Sequence, residues 1–191
     1  KVLSRAASER KPVFSAAQAC AVHEELMCNT AAQLLASNLG PVELWLDRDE
    51  PHRSVDDLLA AGLRGPFLQQ GQDLGARMFH ALAQGLQRAE RVLLTGSDCP
   101  ELGRDYLQGA LAKLDDANVV LGPAEDGGFV LIAGRSLHRD MFRGVSWGGS
   151  EVLVQTLGAL EAVGLSYELM EMRYDVDRPD DVARWRGAQA R

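Results

Sequence analysis

The chain has 191 residues, 46% hydrophobic and 25% charged, a balance typical of a globular protein of one domain. Its formal net charge of −7 and its lack of a long basic run argue against nucleic acid as a partner. No apolar run approaches the roughly eighteen residues of a membrane span, and the N-terminus lacks the apolar core of a signal peptide. Three cysteines without paired spacing predict a reducing compartment, so the expected location is the cytoplasm.

Predicted helices and strands alternate along the whole chain. The first helix begins at a capping box, Ser15 to Gln18, and its apolar pattern ends before Gly40. The alternation predicts an α/β fold with a mostly parallel sheet, in a single domain over residues 1–191. The predicted strands are 41–47, 67–70, 91–95, 118–122, 129–133 and 166–172, and the predicted helices are 16–38, 54–62, 74–86, 104–114, 138–142, 150–163 and one from Pro179.

The start of the chain departs from the usual α/β pattern. A sheet of this type normally opens with an apolar strand, whereas residues 1–14 are polar, rich in arginine and lead straight into the first helix. Two explanations stay open: the natural protein starts before Lys1, or the sheet is built without that strand.

Acidic residues follow three predicted strands. The sequence Gly96-Ser-Asp-Cys-Pro100 comes directly after the strand 91–95, and Glu125-Asp-Gly-Gly128 follows the strand 118–122. A third acidic strand end, Tyr174 to Asp177, lies near the C-terminus. Ligands of open α/β sheets bind outside the carboxyl ends of the strands, and carboxylates there can hold a divalent cation with its nucleotide phosphates. The pattern therefore predicts a metal–nucleotide site.

Four motifs in order, Gln70 to Met78, Gly96 to Leu102, Leu121 to Gly128 and Asp175 to Asp181, resemble one bacterial family. It is the glycosyltransferase-A-like family first grouped as a domain of unknown function, with members described as radical-SAM- or selenodomain-associated transferases or arsenosugar-biosynthesis glycosyltransferases. The resemblance spans about residues 15–185. It implies a Rossmann-like three-layer α/β/α sandwich of the nucleotide-diphospho-sugar transferase superfamily.

The same resemblance implies an activity. The expected reaction is transfer of a sugar from a nucleotide diphosphate sugar to a small-molecule acceptor, with Mg²⁺ or Mn²⁺ as cofactor. A nucleotidyltransferase that releases pyrophosphate is the first alternative. A non-catalytic binding protein is the second, because Leu3-Ser-Arg-Ala6 stands where the superfamily has a Lys-(Ser/Thr)-Arg-Leu segment. Within that segment, Arg5 is the remaining candidate for a phosphate contact.

Asp98 and Asp175 are the predicted metal ligands. Asp98 resembles the strand-end acid that binds the cation in this superfamily, although an Asp in Ser-Asp-x-Pro also caps its own turn. Asp175 and Asp177 alternate along an extended segment, so both side chains face the same way. Asp177 precedes Arg178-Pro179, however, and this spacing favours Asp177 as the N-cap of the last helix.

Asp126 is the predicted catalytic partner of Asp98. Its two following glycines permit a close approach of the backbone to a ligand, and its carboxylate could orient an acceptor hydroxyl or act as a general base. A plain tight turn between two strands explains the same residues equally well. Glu125 is assigned to the acceptor pocket, and Ser97, Gly127 and Gly128 to nucleotide or phosphate contacts.

The start of the predicted helix 74–86 is a further phosphate candidate. Asp73, Gly75 and Arg77 lie at this helix N-terminus, which attracts anions, although simple capping by Asp73 accounts for the pattern as well. Trp147 is a candidate for the acceptor pocket, with packing as the favoured alternative. Cys99 has no histidine nearby in the sequence, which favours a buried filler over a nucleophile.

Overall fold

The computed structural model describes residues 14–189. The prediction for Arg5, and the open question of a strand before the first helix, fall on residues outside this range. Within the described residues, the helices are α1 (Ala16–Ser37), α2 (Arg53–Ala60), α3 (Leu74–Leu86), α4 (Arg104–Lys113), α5 (Val152–Ala162) and α6 (Pro179–Gln189), and the strands are β1 (Glu43–Leu46), β2 (Arg64–Leu68), β3 (Val92–Thr95), β4 (Val119–Pro123), β5 (Phe129–Gly134) and β6 (Tyr167–Leu169).

Four strands form the larger sheet, in the order β3-β5-β4-β6. β4 and β6 are parallel, and β5 is antiparallel to both β3 and β4. The expected mostly parallel sheet therefore contains an antiparallel strand, β5, because the turn 124–128 that precedes it is too short for a crossover helix. β3, β4 and β6 still run in one direction, so their carboxyl ends lie at the same edge of the sheet.

Helices cover both faces of this sheet, as expected for a three-layer sandwich. On one face, Leu107 of α4 and Leu34 of α1 belong to a core cluster with Val120 of β4. On the other face, Leu82 of α3 and Leu160 of α5 belong to a second cluster with alternate residues of the same strands. Among residues 14–189, no helix combines the length and apolarity needed to cross a membrane.

β1 and β2 form a separate parallel pair. Within the described residues, β1 makes no backbone ladder with β3, yet the same two helices cover both sheets. On α1, Leu35 packs in the cluster around β1, and Leu34 packs in the cluster that includes β3. On α3, the His80 ring lies edge-on to Trp45 of β1 with 5.5 Å between centroids, whereas Leu82 packs with β3. Side chains of α1 and α3 thus join the two sheets.

Local chemistry explains both ends of α1. The capping box is present, with the Ser15 hydroxyl accepting from the Gln18 amide and the Gln18 side chain accepting from the Ser15 amide. The helix ends at Ser37, one residue before the predicted end at Asn38, because Asn38 itself takes the left-handed conformation at φ 51° and ψ 37°. Asparagine tolerates this conformation better than most residues.

Three other predicted elements differ. β2 spans 64–68 rather than 67–70. Residues 138–142 form consecutive turns rather than a helix, and Gly144 follows them with a φ of +81° that a helix does not allow. Met141 is nevertheless fully buried in the core. β6 spans 167–169 rather than 166–172. Beyond Leu169 the amides of Met170 and Arg173 still donate to carbonyls of β4, but the regular ladder gives way to an isolated bridge between Arg173 and Ala124.

Candidate functional site

The turn between β4 and β5 places Asp126 at the edge where β3, β4 and β6 end. Asp126 Oδ1 accepts from the Gly128 amide at 2.8 Å, which fixes the carboxylate against its own turn. Gly127 has a φ of +93°, and a Cβ at this position would collide with the Ser150 carbonyl. The Gly127 carbonyl also accepts from the Leu153 amide at 2.9 Å. Gly127 is therefore required by the turn itself, which is the structural alternative left open by the sequence.

The segment after β6 runs alongside this turn. The Arg173 amide donates to the Pro123 carbonyl at 2.9 Å, and the Glu125 amide donates to the Arg173 carbonyl at 3.0 Å. These bonds continue the alignment of β4 and β6 past the ends of both strands. As a result, Asp175 arrives next to Asp126.

The loop after β3 completes the edge. The Val176 amide donates to the Asp98 carbonyl at 3.0 Å, and the Thr30 hydroxyl of α1 donates to the carbonyls of Ser97 and Cys99 at 3.2 and 3.4 Å. Three hydrogen bonds, one from a backbone amide and two from a side-chain hydroxyl, thus hold the loop in place. Ser97, predicted to contact phosphate, takes part here through its backbone carbonyl.

Three carboxylates converge at this edge. One oxygen from each of Asp126, Asp175 and Asp177 lies within 4.8 Å of the other two. Burial raises the pKa of Asp175 from its usual 3.8 to about 7, and the negative charges of Asp126 and Asp177 contribute to the rise. The folded chain therefore holds these carboxylates against their mutual repulsion, an arrangement found more often at functional sites than elsewhere.

Asp98 belongs to the same electrostatic group. Burial raises the pKa of Asp98, His23 of α1 opposes this shift, and the charge of Asp126 adds to it. The pKa of Asp177 is also raised, mainly by burial and then by the charges of Asp98 and Asp126. The charges of Asp98, Asp126 and Asp175 thus act on one another, although the group whose oxygens converge consists of Asp126, Asp175 and Asp177 and does not include Asp98. The catalytic and metal-binding roles predicted for these residues stay predictions.

The group fits a divalent cation such as Mg²⁺ or Mn²⁺. Hard cations bind oxygen ligands, and the converging carboxylates offer such oxygens at the spacing of a shared ion. A cation would also relieve the repulsion that raises the pKa of Asp175. Three carboxylates leave coordination positions for phosphate oxygens or water.

Asp177 has a different position from the one predicted. The spacing of Asp177-Arg-Pro favours Asp177 as an N-cap, but its carboxylate lies with Asp126 and Asp175. The side chain that binds backbone amides at the start of α6 is instead that of Asp181, in the first turn of the helix. Its Oδ2 accepts from the amides of Asp177 and Arg178 at 3.2 and 2.7 Å. The alternation of Asp175 and Asp177 was the sequence feature that indicated their shared side.

At the start of α3, the side chains make structural contacts. Asp73 is the N-cap and accepts from the Ala76 amide at 2.8 Å, and Arg77 donates through Nε to the Gly71 carbonyl at 3.3 Å. Gly75 is buried, and a Cβ there would lie 2.7 Å from the Trp147 ring. Phosphate binding by these residues stays a prediction.

Trp147 packs in an aromatic cluster with Phe142 and Phe129. Its ring meets Phe142 and Phe129 edge-on, with centroids 5.7 and 6.3 Å apart. Trp147 is still only half-buried. Its predicted place in an acceptor pocket is not tested by these contacts.

Cys99 is fully buried in the core. Burial raises the pKa of its thiol to about 11, so the thiolate required of a nucleophile is scarce at neutral pH. This favours the interpretation as a buried filler.

Sequence reasoning missed one contact of the site. Arg184 of α6 forms a two-pronged ion pair with Glu125, at 2.9 Å from Nη1 and 3.1 Å from Nη2, and its guanidinium lies 3.7 Å from the centre of the Tyr174 ring. The Glu125 carboxylate, predicted to line an acceptor pocket, is engaged by this arginine. No local motif connects residues so far apart in the sequence.

Residues 30–149 match the DUF2064 family, described as uncharacterized proteins conserved in bacteria. The chain belongs to this family. The matched range covers more than half of the chain and includes Asp98 and Asp126. No curated protein matches the chain.

Among solved structures, the chain is similar to a protein of Desulfovibrio desulfuricans G20 that is provisionally assigned as a nucleotide-diphospho-sugar transferase. The two share 28% identity and a TM-score of 0.70 over 84% of this chain and 71% of the other. The fold is also similar to that of 4-diphosphocytidyl-2C-methyl-D-erythritol synthase from Anaerococcus prevotii, at 11% identity and a TM-score of 0.62, covering 87% and 86% of the two chains. CMP:2-keto-3-deoxy-manno-octonic acid synthetase, solved with CTP, gives 13% identity and a TM-score of 0.59, covering 86% and 87%.

These similarities confirm the fold class. The chain has the fold shared by nucleotide-diphospho-sugar transferases and nucleotidyltransferases, as the sequence motifs implied.

Proposed function

We propose that this DUF2064 protein is a metal-dependent glycosyltransferase that moves a sugar from a nucleotide diphosphate sugar to a small-molecule acceptor. The observation that carries the proposal is the convergence of Asp126, Asp175 and Asp177, with Asp98 beside them, where β3, β4 and β6 end. Open α/β sheets bind their ligands at this edge. The similarity to the D. desulfuricans protein supports the choice of a nucleotide-sugar donor.

Asp126, Asp175 and Asp177 would hold Mg²⁺ or Mn²⁺, together with Asp98, whose charge acts on all three. When bound, the cation supplies positive charge to the diphosphate leaving group. Asp126 is exposed, so its carboxylate also borders the solvent side from which an acceptor hydroxyl would arrive. Its Oδ1 is engaged by the Gly128 amide, and its Oδ2 is the oxygen available to orient that hydroxyl.

A thermal-shift screen tests this proposal. Nucleoside diphosphates, nucleoside triphosphates and nucleotide sugars would each be added with and without Mn²⁺, since a ligand that binds only the folded chain raises its melting temperature. We expect a Mn²⁺-dependent shift with one nucleotide sugar, absent in Asp98→Asn and in Asp177→Asn but retained in Asp180→Asn. Asp180 is the matched control because it is an exposed acid only three residues from Asp177. A folded chain with no shift for any ligand would overturn the proposal.

Nucleotidyl transfer is the second candidate, favoured by one observation. Two of the similar structures are cytidylyl-transferring synthases that align over 86% or more of both chains. In that reaction the same carboxylates would serve a nucleoside triphosphate, and pyrophosphate would leave. Pyrophosphate release with a triphosphate, and no shift with nucleotide sugars, would select this candidate.

A further inference from the structure

Arg184 contacts two segments of the acidic site at once. Its guanidinium pairs with Glu125, the residue before Asp126, and lies over the ring of Tyr174, the residue before Asp175. Tyr174 is buried, so this ring is a fixed surface for the guanidinium. A planar guanidinium suits both contacts, since it pairs with a carboxylate through two parallel bonds and stacks on an aromatic face.

We propose that Arg184 is a positioning residue that sets the distance between Asp126 and the Asp175–Asp177 segment, and thereby the affinity of the site for a divalent cation. This inference rests on the proposed metal site and extends it to a residue outside the acidic group. One carboxylate oxygen from each of Asp126, Asp175 and Asp177 lies within 4.8 Å of the other two, so these negative charges repel one another and the segments that carry them tend to move apart. The paired contacts of Arg184 oppose that separation.

The direction of the effect distinguishes positioning from simple electrostatics. Arg184 is positive, so its removal alone would make the site more negative and strengthen the binding of a cation. Loss of positioning has the opposite effect, because the carboxylates no longer converge. Glu125→Gln removes a negative charge instead, yet it breaks the same ion pair. Weaker cation binding in both variants follows from positioning and not from charge.

Arg186 offers a matched control on the same helix. It forms an ion pair with Glu25 of α1 at 3.1 Å, and both partners are about half exposed, as are Arg184 and Glu125. Arg186→Ala removes the same charge and one helix-to-protein ion pair, but Glu25, unlike Glu125, is not adjacent in the chain to an aspartate of the converging group.

The experiment measures Mn²⁺ binding to the whole chain from the electron paramagnetic resonance signal of free Mn²⁺, with melting temperatures recorded in parallel. We expect Arg184→Ala and Glu125→Gln each to weaken binding by about 10–100-fold, the usual range for partners that orient metal ligands. The double variant should bind no more weakly than the weaker single variant, because both changes break one pair. Arg184→Lys keeps the positive charge and loses the planar guanidinium, so its affinity for Mn²⁺ should lie between those of Arg184→Ala and wild type. Arg186→Ala should bind like wild type.

The outcomes separate this inference from the proposed function. Wild-type binding that is lost in Asp177→Asn but unchanged or stronger in Arg184→Ala would overturn the positioning role and leave the metal site standing. Wild-type protein that binds no Mn²⁺ would overturn both.

Discussion

The Val176 amide donates to the Asp98 carbonyl at 3.0 Å, and this bond joins the loop after β3 to the segment after β6. β5 and β4 lie between β3 and β6 in the sheet, so the bond connects the ends of two strands that are not neighbours. The bond fixes the backbone at Val176, and the residues on either side of it, Asp175 and Asp177, belong to the acidic group. The position of the acidic group thus depends on contacts between distant parts of the chain.

Neutralising Asp177 should affect stability and metal binding in opposite directions. Asp177→Asn removes one of the repelling charges, so the melting temperature without metal should rise. Its affinity for Mn²⁺ should fall at least about tenfold, because mutation of a residue that only orients a metal ligand already lowers metal affinity by about this factor. Calorimetry with and without Mn²⁺ measures both effects. Asp180→Asn should show neither, and equal behaviour of the two variants would contradict a role for Asp177.

The raised pKa of Asp175 predicts a specific pH dependence of stability. Between the usual pKa of 3.8 and the folded value of about 7, the folded chain keeps a proton that the unfolded chain releases. The free energy of unfolding should therefore decrease as pH rises through this window and become level above it. In Asp175→Asn this contribution is absent, so its stability should fall less over the same range. Urea denaturation at several pH values compares the two, and superimposable curves would refute the shift.

Protons and cations should compete for the same carboxylates. As pH falls below about 7, Asp175 gains its proton, so the apparent affinity for Mn²⁺ should weaken. Mn²⁺ titrations across this range test the coupling. Asp175→Asn should bind more weakly at all pH values with a flatter profile, and an equally steep profile in that variant would assign the proton to another group.

Gly127 and Gly148 allow a test of the turn. Both have positive φ, +93° and +88°, but a Cβ on Gly148 meets nothing within 4 Å whereas one on Gly127 collides with the Ser150 carbonyl. Gly148→Ala should lower the free energy of unfolding by about 1–2 kcal/mol, the penalty of an alanine in the left-handed conformation. Gly127→Ala should lose more and should also weaken Mn²⁺ binding, because the turn carries Asp126. Equal losses in the two variants would show that the turn can shift freely.

The thiols should differ in reactivity. Cys20 and Cys28 are exposed, and Cys99 is buried with a pKa raised to about 11. A thiol reagent should therefore modify two of the three cysteines in the folded chain and the third only in denaturant. Rapid modification of Cys99 in the folded chain would reopen its role as a nucleophile.

Features that depend on neighbouring residues could be predicted from the sequence. The capping box of Ser15 and Gln18 forms as expected, and Asp73 caps α3. The convergence of Asp126 and Asp175 also follows from a simple rule, that strands running in one direction end at the same edge.

The remaining features depend on contacts between distant segments. The choice of Asp181 over Asp177 at the start of α6 depends on where the 174–177 segment docks, which the local spacing does not determine. The pairing of Arg184 with Glu125 likewise requires the docked position of α6. The antiparallel direction of β5 agrees with the tight turn that Asp126-Gly-Gly allows between two strands, whereas the alternation of helices and strands elsewhere predicts the parallel strands.

The separation of the two sheets has a consequence for local unfolding. In the described part of the chain, β1 and β2 are joined to the larger sheet through side chains of α1 and α3, without a shared ladder of backbone hydrogen bonds. Segments linked in this way tend to open as one unit before the rest of a protein unfolds. Amides of β1, β2 and α2 should therefore exchange their hydrogens together and sooner than those of β4 and β5. The acidic edge would keep its shape during such an opening, because its supporting strands belong to the sheet that stays closed.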